Sequence, residues 1–81
     1  MQWIYQRFEH PEKKRYYEVR VQADLFGWVI VRNWGGINQA TGNKMTLPVT
    51  SYEEGVSKLK EIVTTRKRKQ YQPINHYGVM T

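Results

Sequence analysis

Apolar and polar positions alternate most cleanly over residues 15–23. Tyr17, Val19, Val21 and Ala23 fall on one face, and Tyr16, Glu18, Arg20 and Gln22 on the other. A period of two predicts a half-buried antiparallel strand. Asp24-Leu25-Phe26-Gly27 follows as a short hairpin connection, with Gly27 free to take a positive φ. The chain then returns over residues 28–37, the densest apolar run. Val29, Val31 and Asn33 share one face there, and Trp28, Ile30, Arg32 and Trp34 the other. Both faces are apolar at the start, which predicts a central strand covered on each side and delivering Trp34 to a rim. Gly35 and Gly36 let the backbone turn or approach a partner closely.

Other segments support that strand. Residues 3–8 are short, aromatic and partly alternating, and predict an edge strand. Residues 9–14 supply a turn, because Pro11 drives His10 out of the helical region. In residues 44–50, Met45, Leu47 and Val49 point inward and Lys44, Thr46 and Pro48 outward. Pro48 cannot donate to a ladder, which predicts a second edge strand. Ser51 with Glu54 forms a capping box, and Tyr52, Val56, Leu59, Ile62 and Val63 form one apolar stripe, so a helix starts here and packs on the sheet. Gly55 inside it costs up to about 1 kcal/mol relative to Ala, which close packing against a strand would explain. Pro73 stops any helix, and the tail beyond Tyr71 has no periodicity. The expected fold is α+β: a small antiparallel four-stranded sheet in the order β-β-β-β-α, with one C-terminal helix packed on one face. Residues 1–71 form the domain and residues 72–81 the tail.

Composition narrows the class. A chain of 81 residues makes one domain at most and buries only roughly 60% of its unfolded surface. It has no cysteine, which fits a reducing compartment. The N-terminus lacks the continuous apolar region of a signal peptide, and no apolar run approaches the roughly 20 residues a spanning helix needs. A soluble cytoplasmic protein without membrane attachment is expected.

Charge points to a partner. Thirteen Lys and Arg against seven Asp and Glu give +6, with a pI near 9.8, the electrostatic footprint of a nucleic-acid binder. Residues 57–71 carry six cations against Glu61 alone. Their end, Arg66-Lys67-Arg68-Lys69, is either a phosphate-binding terminus or a solvated one that complements the helix dipole. Trp34 is either core or a plate beside the Arg32 cation that meets a sugar or base. Catalytic chemistry finds no support. His10 and His76 have no second ligand at metal spacing, no Ser is placed beside an activating His or acid, and there is no glycine-rich phosphate loop. No enzyme, cofactor, metal or small-molecule substrate is expected.

The ordered set Tyr16-Tyr17-Glu18-Val19, Asp24-Leu25-Phe26-Gly27-Trp28, Val31-Arg32-Asn33-Trp34-Gly35-Gly36-Ile37, Gly42-Asn43-Lys44 and Ser51 with Glu54, closing in a basic helix end and Tyr71, resembles the WGR domain. That family is named for a Trp-Gly-Arg motif ending a central strand. It occurs in DNA-dependent poly(ADP-ribose) polymerases and in short bacterial proteins. The resemblance implies a nucleic-acid-binding module in which Trp34 packs on a sugar near a DNA end and Lys44, on the loop after the motif, contacts the backbone. Gly36 stands where the motif has Arg, so that residue's DNA contact and its relay to other domains do not carry over. Arg32 or Arg66 is a candidate for the missing charge.

The expected function is therefore non-catalytic binding of nucleic acid, DNA first and RNA second, through Trp34, Gly35, Arg32, Lys44, Arg66, Lys67 and Arg68. The alternative is a protein-interaction module that recruits a separately encoded partner through exposed aromatics such as Trp3, Tyr16 and Tyr77.

Overall fold

The hairpin of β2 (Arg15–Asp24) and β3 (Gly27–Gly36) sets the frame, because the two strands pair along their whole length from the Asp24–Gly27 closing pair to Arg15–Gly36. The computed structural model describes residues 4–74 in full, with the backbone of Trp3 and of residues 78–80. Leu25 and Phe26 form the tip. Asp24 Oδ1 accepts a hydrogen bond from the Phe26 amide at 2.8 Å, and Gly27 takes the positive φ of 138° that the turn requires. β1 (Trp3–His10) pairs antiparallel with β2, and β4 (Asn43–Val49) pairs antiparallel with β3.

The class is α+β as expected, but the sheet is wider than four strands. Two short C-terminal strands, β5 (Gln72–Pro73) and β6 (Gly78–Met80), both pair antiparallel with the outer side of β1 and share the fifth position. β1 is thus an interior strand and not an edge. It also runs through Glu9 and His10, so the turn is confined to residues 11–14. The reason is geometric: a ladder of two or three residues is held by backbone groups and leaves no side-chain period in the tail. β4 is an edge, with Pro48 opposite Val29 and its other side unpaired among the described residues.

The helix α1 (Tyr52–Arg68) covers one face. Its start follows the capping signal. Ser51 accepts from the Glu54 amide at 3.1 Å, while the Glu54 carboxylate reaches back to the Thr50 amide at 2.9 Å. Leu59 is fully buried, and Tyr52, Val56, Ile62 and Val63 pack against the cluster of Ile4, Phe8, Tyr17, Val19, Val21 and Ile30. A Cβ on Gly55 would sit 2.9 Å from Val21 Cγ1, so the glycine is what lets helix and sheet approach. Met45 and Leu47 lie on this same face but near the edge, where they stay 46% and 44% exposed.

The helix does not wait for Pro73 to stop it. Gln70 takes a left-handed φ of 68°, its amide donates to the Lys67 carbonyl, and the Tyr71 amide donates to the Arg66 carbonyl, both at 3.0 Å. This Schellman turn folds Tyr71 back onto the sheet. Tyr71 then packs edge-on to His10 and to Tyr17.

The face away from the helix holds Val29 and Val31, both buried. Their register neighbours there are Gln22 and Pro48, and Arg20 and Thr46; long polar stems take the place of a second layer. Beside them Arg7 bonds the Glu18 carboxylate at 3.0 Å and Glu9 at 3.2 Å, lies 4.8 Å from the centroid of the Tyr16 ring, and shares Glu18 with the Tyr5 hydroxyl at 2.7 Å. Burial and the neighbouring Glu18 push the Tyr5 phenol up to about 12. Burial alone would lower the Arg7 guanidinium, but its bonds to Glu18 and Glu9 hold it above its ordinary value.

Candidate nucleic-acid interface

Three elements meet at the end of the sheet far from the hairpin tip: the β1–β2 turn, the end of β3 with the loop after it, and the C-terminus of α1. The turn is tight. The Lys13 amide donates to His10 Nδ1 at 3.2 Å, the Lys14 amide donates to the Pro11 carbonyl at 3.3 Å, and Lys14 sits at a φ of 51°. A left-handed lysine is costly by about 1 kcal/mol or more. The turn is tied to β3 by the Ile37 amide, which donates to the Lys14 carbonyl at 2.9 Å.

Three adjoining depressions open on this end. The first, of about 460 Å³, lies between Lys13, Lys14 and Arg15 on one side and Trp34, Gly35 and Gly36 on the other. The second, of about 980 Å³, lies between His10, Lys13 and Arg15 and the helix end at Arg66, Arg68 and Lys69. The third, of about 320 Å³, is floored by Tyr17, Trp34 and Tyr71 beneath Arg15, Arg32 and Arg66. Their linings together carry seven cations (Lys13, Lys14, Arg15, Arg32, Arg66, Arg68 and Lys69) against Glu12 alone. One sign of charge concentrated in concave walls raises the local concentration of polyanions.

An aromatic stack runs through the floor. Trp34 and Tyr17, cross-strand partners, stack with ring centroids 6.2 Å apart at 20°. The Arg66 guanidinium lies 4.5 Å from the Tyr17 centroid and 5.2 Å from that of Tyr71. Its Nε is buried and has no hydrogen-bond partner. Arg32 donates to the Tyr17 hydroxyl at 3.4 Å. Trp34 is half-buried: it packs on the core cluster and still lines two of the depressions. The ring thus both contributes to the core and borders the depressions.

Of the residues picked from sequence, Trp34, Gly35, Arg32, Arg66 and Arg68 converge here. Lys44 does not. It pairs with Asn33, on the face of the sheet opposite Arg32 and Trp34. Lys67 is exposed on the helix and lines none of the three depressions. Tyr16 is half-buried under Arg7 and is no free anchor, while the side chains of Trp3 and Tyr77 lie outside the described residues. Sequence reasoning missed Lys13, Lys14, Arg15, His10, Tyr17 and Tyr71 as lining residues, and took Lys69 only as part of the basic helix end. The hairpin register holds the signal for several of them: counting back pair by pair from Asp24–Gly27 lands Tyr17 on Trp34 and Arg15 on Gly36.

Among the described residues no helix is long and apolar enough to cross a membrane, and no three His, Cys, Asp or Glu side chains are grouped to hold a metal. The model of the WGR domain family matches residues 2–77, nearly the whole chain. Among curated proteins and solved structures, none matches it. WGR domains are binding modules, generally of nucleic acid, rather than catalytic domains. On the strength of that match, the chain belongs to the WGR domain family.

Proposed function

We propose that this protein is a non-catalytic DNA-binding module that grips the sugar-phosphate backbone near a strand end. The observation that carries the reading is the convergence of seven cations around the Trp34–Tyr17 stack, with one acid among them. Cations on mobile stems neutralise phosphates, and the indole offers a flat face to a sugar or base. Arg32, Arg66, Arg68 and Gly35 contribute at this surface. Lys44 and Lys67 approach a ligand only if it wraps beyond it.

The test is fluorescence anisotropy with an open 5′-phosphorylated duplex, a hairpin-capped duplex and a single strand, each over a range of salt. With about four phosphates neutralised, log K falls against log salt with a slope of about −3.6. Preference for the open duplex supports end binding. Equal, steeply salt-dependent binding to all three reduces the reading to a general polyanion binder. Absence of binding at low salt defeats it.

One observation favours a second reading, recruitment of a protein partner. Leu25 and Phe26 are 94% and 96% exposed on a tip whose turn Asp24 closes. The tip lies at the other end of β3 from Trp34, and the acids Glu53 and Glu54 open the helix near it. A ligand on the basic end leaves this apolar pair projecting away. A defined partner that survives nuclease treatment and is lost with Phe26→Ser would support it.

A further inference from the structure

Resting on the nucleic-acid reading, we propose that Arg15 is the bridging cation of the site, taking the phosphate shared by its two halves, and that Gly36, its cross-strand partner, leaves the facing position without a competing side chain. Arg15 is the one residue that lines all three depressions. It stands between the loop half, with Lys13, Lys14 and Trp34, and the helix half, with Arg66 and Lys69.

Its placement follows from the ladders. Arg15 pairs with Gly36 on one side and His10 on the other. Cβ atoms at paired positions are about 5 Å apart, so a side chain at position 36 would rise beside Arg15 on the same face. A Cβ there would also stand 2.8 Å from Gln39 Cδ. With hydrogen at that position, no side chain of the facing strand stands beside Arg15, and it is the Gln39 side chain that lies over Gly36. The bond from the Ile37 amide to the Lys14 carbonyl fixes the two strand ends relative to one another.

Its chemistry also differs from that of Arg7, Arg32 and Arg66. Arg7 is committed to Glu9 and Glu18, Arg32 donates to Tyr17, and Arg66 lies between two tyrosine rings. Among the described residues the Arg15 side chain has no ion pair, hydrogen bond or ring contact. It is an exposed, always-charged fork surrounded by like charges, which an anion relieves. A cation between two halves of a surface selects a ligand that spans both. The ligand class is a strand with consecutive phosphodiesters, and an isolated phosphate or mononucleotide fills one half only.

The experiment compares wild type, Arg15→Gln, Arg15→Lys, the double variant Arg15→Gln/Gly36→Arg and the control Lys58→Gln, using a labelled short duplex over a range of salt, with AMP as competitor. Thermal melts confirm that each variant folds. Arg15→Gln is expected to weaken duplex binding about tenfold and to make the salt slope shallower by about 0.9. Arg15→Lys falls between, because an ammonium cannot hold a phosphate through two parallel bonds. Gly36→Arg in the Arg15→Gln background restores affinity and slope by supplying a guanidinium from the facing strand. Lys58→Gln changes neither, and AMP competes poorly with wild type. Wild-type binding by Arg15→Gln, while Arg66→Gln weakens it, overturns the bridging role and leaves the nucleic-acid reading standing. A double variant no better than Arg15→Gln overturns the role of Gly36. Failure of wild type to bind any nucleic acid at low salt removes both.

Discussion

Arg66 lays its guanidinium 4.5 Å from the centre of the Tyr17 ring, on a tyrosine that stacks in turn on Trp34. The last turn of the helix is thereby joined to the end of the central hairpin, and the same cation holds the fold and faces the basic cleft. Charge and shape do separate jobs here. On the proposed function the charge draws an anion from solution, while the planar fork rests on two rings that an ammonium would meet less well.

Arg66→Lys and Arg66→Gln separate those jobs. Both are expected to lower stability by about 0.5–1 kcal/mol, through loss of the stacked cation. Arg66→Lys retains most of the salt slope of nucleic-acid binding, and Arg66→Gln reduces it by about 0.9. Urea melts read the first effect and anisotropy the second. Equal slopes for the two variants would show that Arg66 serves the fold alone.

Gln70 offers a stability test remote from binding chemistry. It occupies the left-handed position of the Schellman turn, at a φ of 68°. Glycine meets no Cβ penalty there. Gln70→Gly is expected to stabilise the protein by about 0.5–1 kcal/mol, after the entropy glycine adds to the unfolded chain. In a domain of this size that raises Tm by about 2–8 °C. A lower Tm would mean that the Gln70 side chain makes a contribution its geometry does not reveal.

These positions also mark how far the sequence was legible. Strong side-chain periods carried the β2–β3 hairpin faces, and Ser51 with Glu54 carried the start of the helix. Where structure is built from backbone alone, no period exists to find. Gln72–Pro73 and Gly78–Met80 close the side of β1 with ladder bonds, and Gln70 ends the helix by its φ, three residues before Pro73. The site divides in the same way. A contiguous run advertised Arg66 and Arg68, whereas Lys13, Lys14 and Arg15 were spread between a turn and a strand start. Their convergence with Trp34 depends on register. The resemblance points to Lys44, although the inward parity of Met45 and Leu47 puts it on the other face.

Tyr5 gives the fold a defined response to alkali. Burial and its bond to Glu18 push the phenol up from 10.0 to about 12. The folded state therefore binds this proton more tightly than the unfolded state. The stability it contributes is fully present below pH 10 and is lost as pH rises toward 12. Ultraviolet absorbance of wild type minus Tyr5→Phe isolates this phenolate and is expected to show its midpoint near 12. A midpoint near 10 would mean that neither the burial of Tyr5 nor its bond to Glu18 persists in solution.

Lys14 separates stability from binding most sharply. Its left-handed φ of 51° closes the β1–β2 turn and places its side chain at the first depression beside Arg15. An L-residue there costs about 1–2 kcal/mol, and such strain persists only where the surroundings enforce it. The bond from Ile37 to the Lys14 carbonyl supplies that constraint and involves no side chain. Lys14→Gly keeps the backbone bond, relieves the strain and removes one cation. It is expected to raise stability by up to about 1 kcal/mol. The salt slope of nucleic-acid binding should become shallower by about 0.9, and all sequences should bind more weakly to the same degree. Lys14→Asn, which tolerates the left-handed region better than lysine, should act in the same two directions with a smaller gain. Denaturant melts and salt-dependent anisotropy on the two variants check both parts. Greater stability with unchanged binding would place Lys14 in the turn alone, and lower stability would show that the turn needs the lysine stem.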